Sequence, residues 1–255
     1  GVWQNFMAKY PEANFMHKKM VYVSRKLSRA SGDLAEARRE LYRGQCNCAY
    51  WHGLFGGIYL NYLRHAVYSH LIAADFAADR ALGVDESKPR VEVLDLDSDL
   101  RPEVVLASKE LWVGIKPDAG GAFFELDVRG KQFNVANVLG RHPEGYHAKL
   151  REAALAASSE HGATGGPRSI HDLSAVKEPG LEELLHYDRH LRLGFVDHLL
   201  APNTSVADFA SSTYDERGDF ADGAYDVVGT RQGAEATLEL VRTGTAHDAN
   251  GRARP

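Results

Sequence analysis

Apolar residues over roughly the first 80 positions recur at three-to-four spacing. Asn14, Phe15, Met16, Met20, Val23 and Leu27 line one face of a helix, with Lys18, Lys19, Arg25 and Lys26 between them. Pro11 suits the first turn of that helix, which is predicted to end near Ser28. Ser31-Gly32-Asp33 breaks the pattern, and Asp33 is a plausible N-cap for a second helix, Leu34 to Arg43, in which Glu36 and Arg39 pair at i,i+3. Gly44 stands where a C′ glycine closes a helix. A third helix is predicted from Ile58 to about Leu82, with Ile58, Leu60, Leu63, Val67, Leu71, Ile72 and Phe76 inward and Gly83 closing it. Three helices on short connections form a small bundle.

The pattern changes after the polar connection at residues 83–90. Val91 to Leu94, Val104 to Ala107, Leu111 to Ile115 and Ala122 to Val128 read as strands bounded by turn residues, with Asp118-Ala119-Gly120-Gly121 a strong turn. Residues 144–159 read as helical and 160–172 as a mobile Gly-rich loop. Strands are predicted again at Leu191 to Val196, Tyr225 to Val228 and Ala236 to Val241. Two domains follow, a helical one at 1–83 and a mostly β one at 88–255. No internal repeat is visible.

The 255 residues carry ordinary hydrophobic (44%) and charged (25%) fractions, and a net charge of −5 argues against a nucleic-acid partner. The longest apolar run, near Leu71 to Ala78, is interrupted by Asp75 and far too short to span a bilayer. Cys46 and Cys48, one residue apart, make no disulfide framework and suit reduced thiols in a cytoplasmic protein. The alternative joins them with His52 as zinc ligands, but a clear fourth ligand is missing.

The densest chemistry lies at residues 43–60, Arg-Gly-Gln-Cys-Asn-Cys-Ala-Tyr-Trp-His-Gly-Leu-Phe-Gly-Gly-Ile-Tyr-Leu, between the second and third helices. Tyr50 and Trp51 offer flat apolar faces with polar tips, and Asn47 and His52 donate and accept hydrogen bonds. Gly53, Gly56 and Gly57 allow positive φ or close backbone approach. That combination suits a polar, ring-shaped ligand. Elsewhere, Asp95, Asp97, Asp99 and Glu103 have carboxylates at alternate positions, as in calcium loops, although Leu100 stands where a glycine is expected; the competing reading is a solvated acidic turn.

The segment Gln45 to Leu60 closely resembles the last conserved motif of the family-57 glycoside hydrolases, the α-amylases and 4-α-glucanotransferases. Trp3 to Glu12 and Met16 to Met20 resemble that family's helical middle domain. Glu103 to Leu106, Gly120-Gly121, Glu125-Leu126-Asp127, Phe133-Asn134, Tyr146-His147 and Val196-Asp197-His198 resemble the β-sandwich that follows it. The resemblance implies an α+β chain: a three-helix bundle, then a mostly antiparallel super-sandwich like that of galactose mutarotase, with the chain stopping inside the sandwich. It also implies a catalytic (β/α) barrel upstream that carries the Glu nucleophile and Asp acid/base. Neither catalytic motif appears here, and no stretch offers a convincing pair of carboxyls for retaining hydrolysis.

The expectation is therefore a part of an enzyme acting on α-1,4-glucan or maltooligosaccharide. It lends cleft residues, needs no cofactor, and is inactive by itself. The alternative is a free-standing, non-catalytic carbohydrate-binding protein. Trp51 is the leading substrate contact, against packing of the bundle on the barrel. Asn47 and His52 either bond sugar hydroxyls or brace the loop. Several members, by the resemblance, carry Asp where Cys48 stands, and a thiol is a poor substitute for a carboxylate acceptor. His17, and Asp197 with His198, read as structural. His142, His147, His161, His171, His186 and His190 show no metal spacing.

Overall fold

The computed structural model describes residues 2–158, 180–248 and 252–254. The expected Gly-rich loop, with His161 and His171, lies outside the described residues. Two compact units emerge: Gly1–Leu139 with Leu193–Leu199 and Glu216–Pro255, and Gly140–Arg192 with Leu200–Asp215.

The first unit begins with helices α1 (Val2–Lys9), α2 (Pro11–Arg29), α3 (Ala35–Arg43) and α4 (Asn61–Ala81). Pro11 occupies the first turn of α2, where its missing N–H costs nothing. The Asp33 carboxylate accepts the Ala35 N–H at 3.0 Å. The third predicted helix starts later than its pattern suggested, because Gly57–Tyr59 winds into a 3-10 turn first. Gly44 is not the left-handed residue expected of a C′ glycine, since its φ is −66°. A Cβ there would lie 2.5 Å from the Leu71 side chain of α4, so close packing of two helices is what requires the glycine.

Strands β1 (Arg90–Leu94), β2 (Glu103–Ala107), β3 (Leu111–Lys116), β4 (Ala122–Val128) and β5 (Phe133–Asn134) form an antiparallel sheet in sequence order. A register shift between Gly114 and Ile115 leaves Phe124 and Glu125 of β4 both buried although they are neighbours. Gly114 makes room, since a Cβ would lie 2.4 Å from the Phe124 ring. Phe124 stacks on Phe15 of α2 at 4.7 Å between centroids. One hydrophobic core joins both layers, from Met16, Val23, Leu71 and Ile72 to Val105, Trp112 and Phe124.

Two enclosed ionic groups cross this core. Lys19 of α2, wholly buried, lies 2.7 Å from Glu125 and 3.0 Å from Asp127 of β4. Lys26 lies 2.5 Å from both Asp75 and Asp79 of α4, and those two carboxylates also hold Arg129, with Arg90 2.8 Å from Asp79. The interruption of the apolar run at Asp75 is thus an anchor between helix and sheet.

Within the same unit, β6 (Asp226–Gln232) and β7 (Ala236–Val241) make a hairpin, with Gln232 Oε1 accepting the Val91 N–H at 3.1 Å. β8 (Ala246–His247) pairs with β9 (Ala253–Arg254). The strand predicted at Leu191 to Val196 reduces to an isolated bridge, Gly194 to Phe123. Phe195, at φ +63°, turns the chain out of extended geometry.

The second unit holds α5 (Gly145–Ser158) and α6 (Val206–Ser211). Ser205 and Asp208 form a reciprocal capping box at α6. Asp188 accepts from Arg141 and Arg192. Burial alone would raise its pKa, but those guanidiniums outweigh it and hold it at about 2. No helix of the described residues is long and apolar enough to cross a membrane.

Candidate functional site

The loop between α3 and α4 is built from two 3-10 turns, Asn47–Ala49 and Gly57–Tyr59. Its closure depends on Gly56 (φ +92°) and Gly57 (φ +54°). A Cβ at Gly57 would lie 2.1 Å from the Trp51 carbonyl oxygen, which accepts the Ile58 N–H at 2.8 Å. Only glycine lets the strands of the loop meet so closely. Arg64 of α4 ties the far end, donating to the Ile58 carbonyl at 2.5 Å and to Asn137 Oδ1 at 2.8 Å.

On this scaffold Trp51 stands 46% exposed, with Gly53 beneath it. A Cβ at Gly53 would lie 2.9 Å from the indole, so this glycine sets the ring's position. Leu54 and Phe55 beside it are more exposed still, Phe55 at 89%. Asn47, Cys46 and Cys48 are also exposed, and both thiols are free. Cys48 Sγ faces Asn47 Oδ1 at 3.6 Å.

Tyr50 corrects the sequence reading. It is only 3% exposed, and its hydroxyl donates to the Gly44 carbonyl at 2.6 Å. It is a brace under the loop rather than a face turned outward, because the short 3-10 turn points it back into the helical core. His52 is half-buried. Its Nε2 lies 2.6 Å from the Tyr10 hydroxyl, and its ring packs against Phe6, Tyr10 and Tyr59 at centroid distances of 5.4, 5.2 and 5.1 Å. Tyr10, Ala13 and Ile58 form a small apolar core behind it. Tyr10 and Arg64 are the supporting residues that periodicity did not single out; Tyr10 could have been suspected only from its place in the Trp3 to Glu12 motif.

Cys46 and Ala49 also line a largely apolar pocket of about 420 Å³ shared with Tyr42, Leu63, Val67 and His70. At its rim Glu40 holds both Arg43 and His70 at 2.6 Å. Cys46, Cys48 and His52 do not come together as a ligand group among the described residues.

The acidic turn after β1 does converge: the carboxylates of Asp95, Asp97 and Asp99 approach one another, as do those of Asp99, Glu103 and Asp118. The position the spacing assigned to a metal is, however, shared by Lys116 of β3. Its Nζ lies 2.6 Å from Asp97, 2.9 Å from Glu103, 3.2 Å from Asp99 and 3.4 Å from Asp118.

Residues 1–78 match the family model for the α-amylase/4-α-glucanotransferase middle domain, and residues 95–253 match the model for its C-terminal domain. The chain belongs to the α-amylase/4-α-glucanotransferase family. A 4-α-glucanotransferase of Thermococcus kodakarensis is 41% identical over 226 residues, which are 89% of this chain and 32% of that protein. Alpha-amylase 1 of Dictyoglomus thermophilum is 38% identical over 210 residues, 82% of this chain and 29% of the relative. The crystal structure of the Thermococcus litoralis 4-α-glucanotransferase superposes with a TM-score of 0.76 at 32% identity, covering 99% of this chain and 35% of that one. The chain therefore spans about a third of the length of these relatives, and its mixed helix and antiparallel-sheet architecture agrees with the family.

Proposed function

We propose that the chain forms the middle and C-terminal part of a retaining enzyme that cleaves or transfers α-1,4-glucan chains, as a 4-α-glucanotransferase or α-amylase. The loop at 43–60 is one wall of its substrate cleft, and the catalytic carboxylates belong to a barrel of the same protein. Trp51 carries this reading. Within the loop Tyr50 is turned inward and bonded, whereas the Trp51 indole, its position set by Gly53, stands half exposed beside the still more exposed Phe55. A sugar's apolar face stacks on such a ring. Asn47 and His52 flank it as candidates for hydroxyl contacts.

Two enclosed pairs of carboxyls, Glu125 with Asp127 and Asp75 with Asp79, are sealed in the core and paired with cations, so neither can reach a glycosidic bond. This fits a chain that is inactive by itself. The two exposed thiols suit a reducing, cytoplasmic setting.

The test is titration with maltooligosaccharides while the indole N–H signals of Trp3, Trp51 and Trp112 are followed by NMR. The Trp51 signal is expected to shift selectively. Trp51→Ala in the full-length enzyme is expected to lower kcat/KM about fivefold or more, the equivalent of roughly 1 kcal/mol of stacking. An unmoved Trp51 signal together with an unchanged kcat/KM refutes the assignment.

A further inference from the structure

The turn joining β1 to β2 has the alternating carboxylates of a calcium loop, and its geometry meets a cation of a different kind. Lys116 is 5% exposed, and its ammonium has three N–H donors. Three carboxylates lie within 3.2 Å of it, one each from Asp97, Glu103 and Asp99. These are hydrogen-bond lengths, whereas calcium takes six to eight oxygens at about 2.3–2.6 Å. The other oxygens of these turn carboxylates accept backbone N–H groups of the turn, as Asp99 Oδ1 accepts from Arg101, and Asp118 adds a fourth carboxylate with its Oδ1 3.4 Å from the ammonium. Glu103 Oε2 accepts the N–H groups of Leu96 at 2.7 Å and Asp97 at 3.1 Å. The two oxygens of Asp95 accept Asp99 N at 3.1 Å and Leu100 N at 3.3 Å, and Asp97 Oδ1 accepts Asp99 N at 3.1 Å. Ser98 and Leu100 are held at positive φ, 65° and 72°, to let this happen.

We propose that Lys116 is the resident cation of this turn, replacing a divalent metal. The turn folds around the ammonium, and the two ions exclude each other: calcium bound by Asp97 and Glu103 would leave a buried ammonium without its partners, an arrangement far costlier than the ion pairs it replaces. The lock also reaches the helical layer, because Asn14 of α2 donates to the Asp97 carbonyl at 3.2 Å and Leu96 is part of the shared core. Removing the ammonium while keeping the carboxylates turns the site into one that answers to calcium.

Thermal unfolding of the chain in EDTA and in millimolar calcium tests this, for the wild type and for Lys116→Gln. The wild-type midpoint is expected to be the same in both. Lys116→Gln is expected to melt several degrees lower in EDTA and to recover part of the loss in calcium. Stoichiometric calcium binding that stabilises the wild type overturns the proposal, and so does a Lys116→Gln midpoint equal to wild type in EDTA. Should that variant not fold, the wild type decides by NMR. A hydrogen-bonded Lys116 ammonium gives a slowly exchanging ¹H–¹⁵N signal that calcium leaves in place; its absence, or its displacement by calcium, refutes the role.

Discussion

The Nζ of Lys19 lies 3.1 Å from the centroid of the Trp112 ring, with both side chains fully enclosed between helix and sheet. The same ammonium pairs with Glu125 and Asp127, so a single cation faces two carboxyls and an indole where an apolar contact would be usual. Lys19→Met is expected to destabilise the chain by roughly 3–5 kcal/mol in urea unfolding at neutral pH, because two buried carboxyls lose their partner. The loss should narrow as the pH falls and Asp127 takes up its proton.

Burial, followed by the charge of Glu125, raises the pKa of Asp127 well above the ordinary carboxylate value. The folded chain therefore holds a proton that the unfolded chain releases near pH 4. Its contribution to stability is complete below that pH and is lost as the pH rises through the folded value. Asp127→Asn is expected to flatten this decline in a series of urea titrations from pH 4 to 8, since Lys19 and Glu125 are left as a matched pair. A variant that follows the wild-type slope refutes the proton uptake assigned to Asp127.

Asp75 titrates in the opposite sense. Burial would raise it, but Lys26, Lys19 and Arg129 outweigh burial and hold it at about 2. Its stabilisation is present above about pH 4 and disappears as the pH falls from there toward 2. Asp75→Asn is expected to cost on the order of 2 kcal/mol at neutral pH and to remove part of the wild type's acid-induced loss over that window, as measured by circular dichroism melts.

Gly57 and Gly53 should separate loop folding from ligand presentation. Gly57→Ala meets the Trp51 carbonyl and a positive φ, and is expected to cost about 2 kcal/mol or more in stability. Gly53→Ala meets only the indole edge. It should displace Trp51 and weaken maltooligosaccharide binding while leaving the melting temperature close to wild type. Equal effects of the two on stability refute the distinction.

Tyr10→Phe tests the support behind His52. Losing the hydroxyl 2.6 Å from Nε2 is expected to cost about 1 kcal/mol of stability and to leave the apolar stacking with Phe6 intact. The readout is a urea midpoint together with the His52 ring signals by NMR, which should move in the variant.

The local elements were legible because they repeat. Three-to-four spacing marks α2 and α4, alternation marks β1, runs bounded by turn residues mark β2, β3 and β4, and Ala122–Val128 and Ala236–Val241 have the bounds expected of them. The loop at 43–60 stood out by composition, and Trp51 keeps its exposed place there. Tyr50 did not follow, because whether an aromatic faces ligand or core depends on the pitch of a three-residue turn, which leaves no trace in residue type. The predicted strand at Leu191 to Val196 fails for a similar reason: one positive φ at Phe195 outweighs a favourable run.

The sequence by itself determined most of the succession of helices and strands, the unusual loop and the family, because each is written in spacing or in a contiguous motif. Only the tertiary structure decided which charges lie inside. Alternation along β4 would send Glu125 and Asp127 to solvent. They face the helices instead, because Lys19, over a hundred positions away, neutralises them there, as Lys116 does for Asp97 and Glu103. A buried charge is tolerable only beside its partner, and partners so distant along the chain are brought together by folding alone.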